Sequence, residues 1–239
     1  MADVFHTTRW SVVVAAGREE SAQALETLCQ SYWFPIYAYI RRRSVQDDDA
    51  KDLTQAFFAC LLSRQTLAQA DPDRGRFRAY LLTACKRFLA NELDRQNAQK
   101  RGGGQSVLSL DFATTDSKYP VAAVDDITAE VLFEQQWAIT LIDTVLAELC
   151  QQYADRDKRP LFDALKPCLA GGNSDSYAQI GRQLQISETA VKVEVHRLKT
   201  RYREQIRTEI GHTVDSPDDV EDEIRRLFEV LSQKREKSL

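Results

Sequence analysis

Apolar residues recur along this chain at three- and four-residue steps almost throughout, which predicts helices. Ala22, Leu25, Cys29, Tyr32, Trp33, Ile36, Tyr37 and Ile40 form one amphipathic stripe. A short helical segment near Arg9–Ala16 precedes it, and Pro35 predicts a kink or a fresh helix start within it. The next helix opens after Ser44, a capping residue, with Asp47, Asp48 and Asp49 suited to its positive N-terminal end. It continues through Leu53, Phe57, Phe58, Leu61 and Leu62, and Asp71-Pro72-Asp73-Arg74-Gly75 then reads as a turn. A long helix from about Arg76 to Lys100 stops at Gly102-Gly103-Gly104, because glycine costs roughly 1 kcal/mol per residue inside a helix.

Residues 102–127, with Pro120 and scattered Asp, Ser and Thr, read as an irregular acidic linker. A second helical part starts near Thr128, with Leu132, Trp137, Leu141, Ile142, Val145 and Leu149 as its stripe. A helix at about Arg159–Leu169 is expected to end at Gly171-Gly172, and two further helices and a tail follow. No alternating strand pattern of useful length interrupts the series. The expected fold is all-α: two helical domains joined by a flexible linker.

Composition sets broad limits. The apolar share of 43% and charged share of 28% suit a globular chain. No apolar run approaches the roughly 18 residues of a membrane span, and MADVFHTTRW lacks the marks of a signal peptide, so a cytoplasmic location is expected. Cys29, Cys60, Cys85, Cys150 and Cys168 show no C-x-x-C spacing and read as reduced, buried thiols, with disulfides or a metal site as the weaker alternatives. His6, His196 and His212 form no ligand cluster, the triple glycine lacks a G-K-[ST] ending, and no nucleophile–base pairing is visible; no enzyme activity, cofactor or metal is expected.

Charge changes the picture. The net charge is −4, yet Arg74 to Arg101 holds eight basic residues against two acids, and Arg182 to Arg207 holds seven against three. Asp111 to Glu134 holds six acids and one lysine. Such asymmetry bears on polyanion binding more than the total does.

Ser174 to Leu198 has helix-turn-helix grammar. Ser176 with Gln179 makes a capping box, and Ala178, Ile180 and Leu184 supply the inner face of a short first helix. Gln185-Ile186 gives a tight turn with one apolar anchor, and Ser187 caps a second helix whose buried side is Ala190, Val191, Val195 and Leu198. Glu188, Thr189, Lys192, Val193, His196 and Arg197 then face outward, where a recognition helix meets a major groove. A plain helical hairpin with a basic face is the alternative.

This segment resembles region four of extracytoplasmic-function (ECF) sigma factors at Tyr177, Ile180, Leu184, Ile186-Ser187-Glu188, Val191-Lys192 and His196-Arg197. Gln46 to Phe58 is similar to the family's region-two acidic motif, and Phe77-Arg78-Ala79-Tyr80-Leu81 to its "FraWLl" signature. The resemblance covers about residues 20–100 and 130–210. It implies a region-two-like domain at 1–101, a linker at 102–127, a region-four-like domain at 128–212 and an added acidic amphipathic extension at 213–239.

The resemblance implies a transcription initiation factor whose partners are core RNA polymerase and promoter DNA. Asp49, Asp52, Leu53, Gln55 and Phe58 would meet the polymerase. Arg76, Arg78, Tyr80, Lys86, Arg87, Asn91 and Arg95 would meet the minus-ten element, with Tyr80 or Phe88 available for base stacking. Ser187, Thr189, Lys192, Val193, His196, Arg197 and Arg201 would meet the minus-thirty-five element.

The chain departs from the family pattern at Ala56, where a Glu is usual, at Val193-Glu194 and at Arg87. The missing charge at Ala56 suggests Thr54 as a phosphosite for a Ser/Thr kinase, since phosphate adds about −1.5 to −2 charge. An anti-sigma protein is the other regulator implied. The tail stripe Val220, Ile224, Leu227, Phe228 and Leu231 either packs as plain structure or covers a basic face. The alternatives are a helix-turn-helix repressor or activator, and a helical signalling adaptor that never binds DNA.

Overall fold

The computed structural model describes residues 22–43, 47–62, 76–99, 127–169, 176–211, 213–214 and 218–236. Among these, all regular elements are helices: α1 (Ala22–Arg43), α2 (Asp47–Leu62), α3 (Phe77–Gln99), α4 (Ala129–Ala154), α5 (Arg159–Leu165), α6 (Tyr177–Leu184), α7 (Glu188–Gly211) and α8 (Asp219–Glu236). The segment near Arg9–Ala16, the Ser44 cap, the turn at 71–75 and the linker up to 126 lie outside the described residues.

α1 passes through Pro35 without restarting. Proline removes one intrahelical donor, but Ile36, Tyr37, Ala38, Tyr39 and Ile40 are all buried in succession, so tertiary packing outweighs the lost bond. An unbroken buried run needs neighbours on every side. They are α4, against which α1 packs most extensively, and α2. Tyr32 meets Phe77 of α3 edge-on at 5.5 Å, and Phe57 of α2 meets Phe88 of α3 at 5.7 Å.

Thr128 caps α4, its hydroxyl oxygen accepting from the Val131 amide at 3.3 Å. α4 then serves both parts of the chain. Near its start, Arg42 Nε of α1 donates to the Ile127 carbonyl at 3.1 Å, and Lys86 of α3 pairs with Glu130 at 2.9 Å. That pair, with Arg43 nearby, holds the Glu130 carboxyl below the usual range. Toward its end, Gln205 of α7 bonds Glu148, and the Arg201 guanidinium lies 5.5 Å from the Tyr153 ring. Phe133, Trp137, Leu141, Val145, Leu149 and Tyr153 join Tyr32, Ile36, Phe57 and Phe77 on one side and Val195, Leu198 and Ile206 on the other in a single core cluster. The two parts that patterning separates therefore share one core in this arrangement.

The helix expected over Arg159–Leu169 is α-helical only to Leu165 and tightens to a 3₁₀ turn over Lys166–Leu169. Pro167 has no N–H to continue the α-helical ladder. Cys29, Cys85 and Cys168 are buried and Cys150 is half-buried, but Cys60 is exposed, a correction to the expectation for that residue. Burial pushes the Cys85 thiol up to about 12, so it stays protonated.

Candidate nucleic-acid interface

The capping box is formed from both sides. Ser176 Oγ accepts from the Gln179 amide at 3.3 Å, and the Ser176 amide donates to Gln179 Oε1 at 2.8 Å. α6 ends at Gln185, which takes a left-handed conformation with φ 56° and ψ 37°. The Ile186 amide donates to the Gly181 carbonyl at 2.9 Å, folding the chain back on α6. Ser187 then caps α7, its Oγ accepting from the Ala190 amide at 3.1 Å. The result is a helix–turn–helix pair with each end closed by a side chain or backbone bond.

Two inner positions differ from expectation. Ala178 and Ile186 are exposed rather than buried, and Gly181 is buried beside Ile180 instead. The turn approaches α6 so closely that a Cβ on Gly181 would stand 2.8 Å from the Ile186 carbonyl oxygen. A helical stripe does not reveal which glycine faces a returning chain.

α7 divides as its pattern predicts. Val191, Val195 and Leu198 are buried, while Ser187, Thr189, Lys192, Val193, His196 and Arg197 are exposed. Lys192 pairs with Glu188 and Arg197 with Glu194, each at 2.7 Å. Both cations are more than half exposed, and exposed pairs of this kind contribute little. Arg201 differs: it is half-buried against Tyr153, so its role here is packing of α7 on α4.

The basic helix α3 is less open than its sequence suggests. Arg78 is only 3% exposed: it pairs with Glu134 at 2.9 Å and with Glu223, and its guanidinium lies 4.2 Å from the Trp137 ring. Arg76 pairs with Glu223 at 3.0 Å. Arg78 presents no charge to a phosphate in this conformation, a correction for that residue, while Arg76, half-buried, is engaged by Glu223. The anions that hold them come from α4 and α8, distant in sequence. Lys86, Arg87, Asn91 and Arg95 are exposed, with Lys86 engaged to Glu130 and Arg95 to Glu92. Tyr80 is half-buried beside Phe77, and Phe88 packs on Phe57, so both rings belong to the core margin.

On α2, Asp49, Asp52 and Cys60 are exposed and Ala56 is half-buried, spaced as one helix face. Leu53 and Gln55 are half-buried, but Phe58 is fully buried and is corrected from a contact residue to a core residue. Thr54 is also corrected. It is 0% exposed, and its hydroxyl donates to the Ala50 carbonyl at 2.7 Å. A kinase has no access to that oxygen here, and a phosphate would bring charge into the core; the phosphosite reading is withdrawn.

Among the described residues no group of His, Cys, Asp or Glu could hold a metal, and no helix is long and apolar enough to cross a membrane. What remains is an all-α protein with a closed helix–turn–helix, a basic helix and an acidic helix face. The ECF sigma factor family model matches residues 22–208, and the chain belongs to that family. No curated protein and no solved structure matches it. The family's role is in transcription initiation, with core RNA polymerase, promoter DNA and anti-sigma factors as its partners.

Proposed function

We propose that this chain binds core RNA polymerase and directs initiation at a defined set of promoters. The observation that carries the reading is the outward face of α7: Thr189, Lys192, Val193, His196 and Arg197 exposed on a helix seated by a buried opposite side. Lysine and arginine there can reach guanine edges or phosphates, at the cost of only weak pairs to Glu188 and Glu194. Residues 128–212 would read the minus-thirty-five element. Residues 1–101 would serve the polymerase and the minus-ten element, through Asp49 and Asp52 on α2 and Lys86, Arg87, Asn91 and Arg95 on α3. The cytoplasm, where polymerase and promoters meet, is its proposed site of action.

The polymerase face is tested by titrating labelled protein with purified bacterial core RNA polymerase. Wild-type protein should bind saturably, and Asp49→Arg with Asp52→Arg should weaken binding at least tenfold while leaving the helical circular dichroism unchanged. Equal binding by the charge-reversed protein would move the docking face off α2. No binding by wild type would favour the adaptor reading.

A further inference from the structure

We propose that α8 is an intramolecular latch: its Glu223 withholds Arg76 and Arg78 from promoter DNA and ties the two parts of the chain in the closed arrangement. The proposal rests on the reading that α3 faces DNA.

The family match ends at residue 208, so α8 is an addition beyond it. α8 packs along α4 and α7. Leu227 is buried, and Val220, Ile224 and Leu231 are packed against the core. Gln135 of α4 donates to the Val230 carbonyl at 3.5 Å, and Arg207 of α7 pairs with Glu221. This seats α8 so that Glu223, 0% exposed, meets Arg76 and Arg78 at the start of α3. One helix thus touches α3, α4 and α7 at once.

An ordinary packing helix places apolar residues inward. A glutamate at the innermost position of α8 is costly unless it is compensated, and its compensation is the pair of arginines. The compensation is incomplete. Neither Glu223 carboxylate oxygen, nor Arg78 Nη1, makes an aligned hydrogen bond. The guanidinium forks that meet this carboxylate by distance alone are well matched in shape and charge to phosphate oxygens. Phosphates can therefore compete with Glu223 for the same two cations, and while α8 is seated the DNA-competent fraction is reduced accordingly.

The test uses the full chain and a short mixed-sequence DNA duplex, with binding followed by fluorescence anisotropy over a range of salt. Glu223→Gln keeps the shape of the side chain and removes its charge. It should bind DNA about tenfold more tightly. Its dependence of log K on log salt should steepen by about 1, since Arg76 gains a phosphate while Arg78 keeps its pair with Glu134. Amide hydrogen exchange over residues 76–84 should also quicken.

A second protein carries a protease site at residues 215–217 and is cut after folding, so that a folding defect cannot mimic the result. The cut protein, once the α8 peptide has been separated from it by size-exclusion chromatography, should show the same gain. A folded Glu223→Gln protein, or cut protein, with unchanged affinity and salt slope would overturn the latch. If exchange shows α8 released but DNA binding stays absent in every form, the failure lies in the DNA-facing reading of α3. Saturable binding to core polymerase would then still stand on its own.

Discussion

Phe133→Ala is expected to destabilise the whole protein by about 3 to 5 kcal/mol, as deletion of a buried aromatic ring generally does. Phe133 is 0% exposed in the half of α4 whose flanking residues bond α1 and α3. The loss is large beside a total stability of about 5 to 15 kcal/mol. Its form matters as much as its size. Because one core cluster runs from α1 through α4 to α7, circular dichroism should show a single transition displaced to lower temperature in the variant. Two transitions, with the later one unmoved by the substitution, would mean that the parts before and after the linker melt independently.

Gly181→Ala should be the most damaging single-methyl change in the helix–turn–helix. The new Cβ would stand 2.8 Å from the Ile186 carbonyl oxygen, which is backbone and cannot rotate aside. The same turn is held by the Ile186 amide on the Gly181 carbonyl and by Gln185 in its left-handed conformation. Relief therefore requires moving the start of α7. A cost of about 1 to 3 kcal/mol is expected from overpacking, together with a loss of DNA affinity beyond what the destabilisation explains. Gly211→Ala provides the control. Its Cβ would meet only Val220 Cγ2 at 3.9 Å, and alanine's better helix propensity should leave stability equal or up to about 1 kcal/mol higher. Equal melting temperatures for the two variants would refute the close approach of turn and helix.

Local features were legible in the sequence because they depend on residues a few positions apart. The Ser176–Gln179 box, the Ser187 cap and the split of α7 into buried Val191, Val195 and Leu198 and exposed Lys192, His196 and Arg197 all follow from helical geometry. The run of basic residues on α3 was equally plain, but its accessibility was not. Whether Arg78 is open to DNA depends on Glu134, Trp137 and Glu223, and no periodicity within α3 names its partners. Thr54 and Phe58 failed for a related reason. A stripe through Leu53, Phe57 and Phe58 leaves the width of the buried face undetermined, and contact with α1 and α3 widens it to take in Thr54. The tail's apolar stripe and acids left plain packing and a charged cover both open, because no periodicity within the tail shows that Glu223 lies beneath α8 against Arg76 and Arg78.

On the proposed function, this member of the ECF sigma factor family makes polymerase start at chosen promoters. The most direct measurement is transcription by bacterial core RNA polymerase on a library of genomic DNA fragments, with and without the purified protein, followed by mapping of the RNA 5′ ends. Protein-dependent starts should gather at a limited set of sites sharing two upstream sequence elements. They should vanish when Lys192 and Arg197 are both replaced by alanine. Folded, α8-released protein that binds core polymerase yet yields no protein-dependent start on any fragment would contradict a role in initiation.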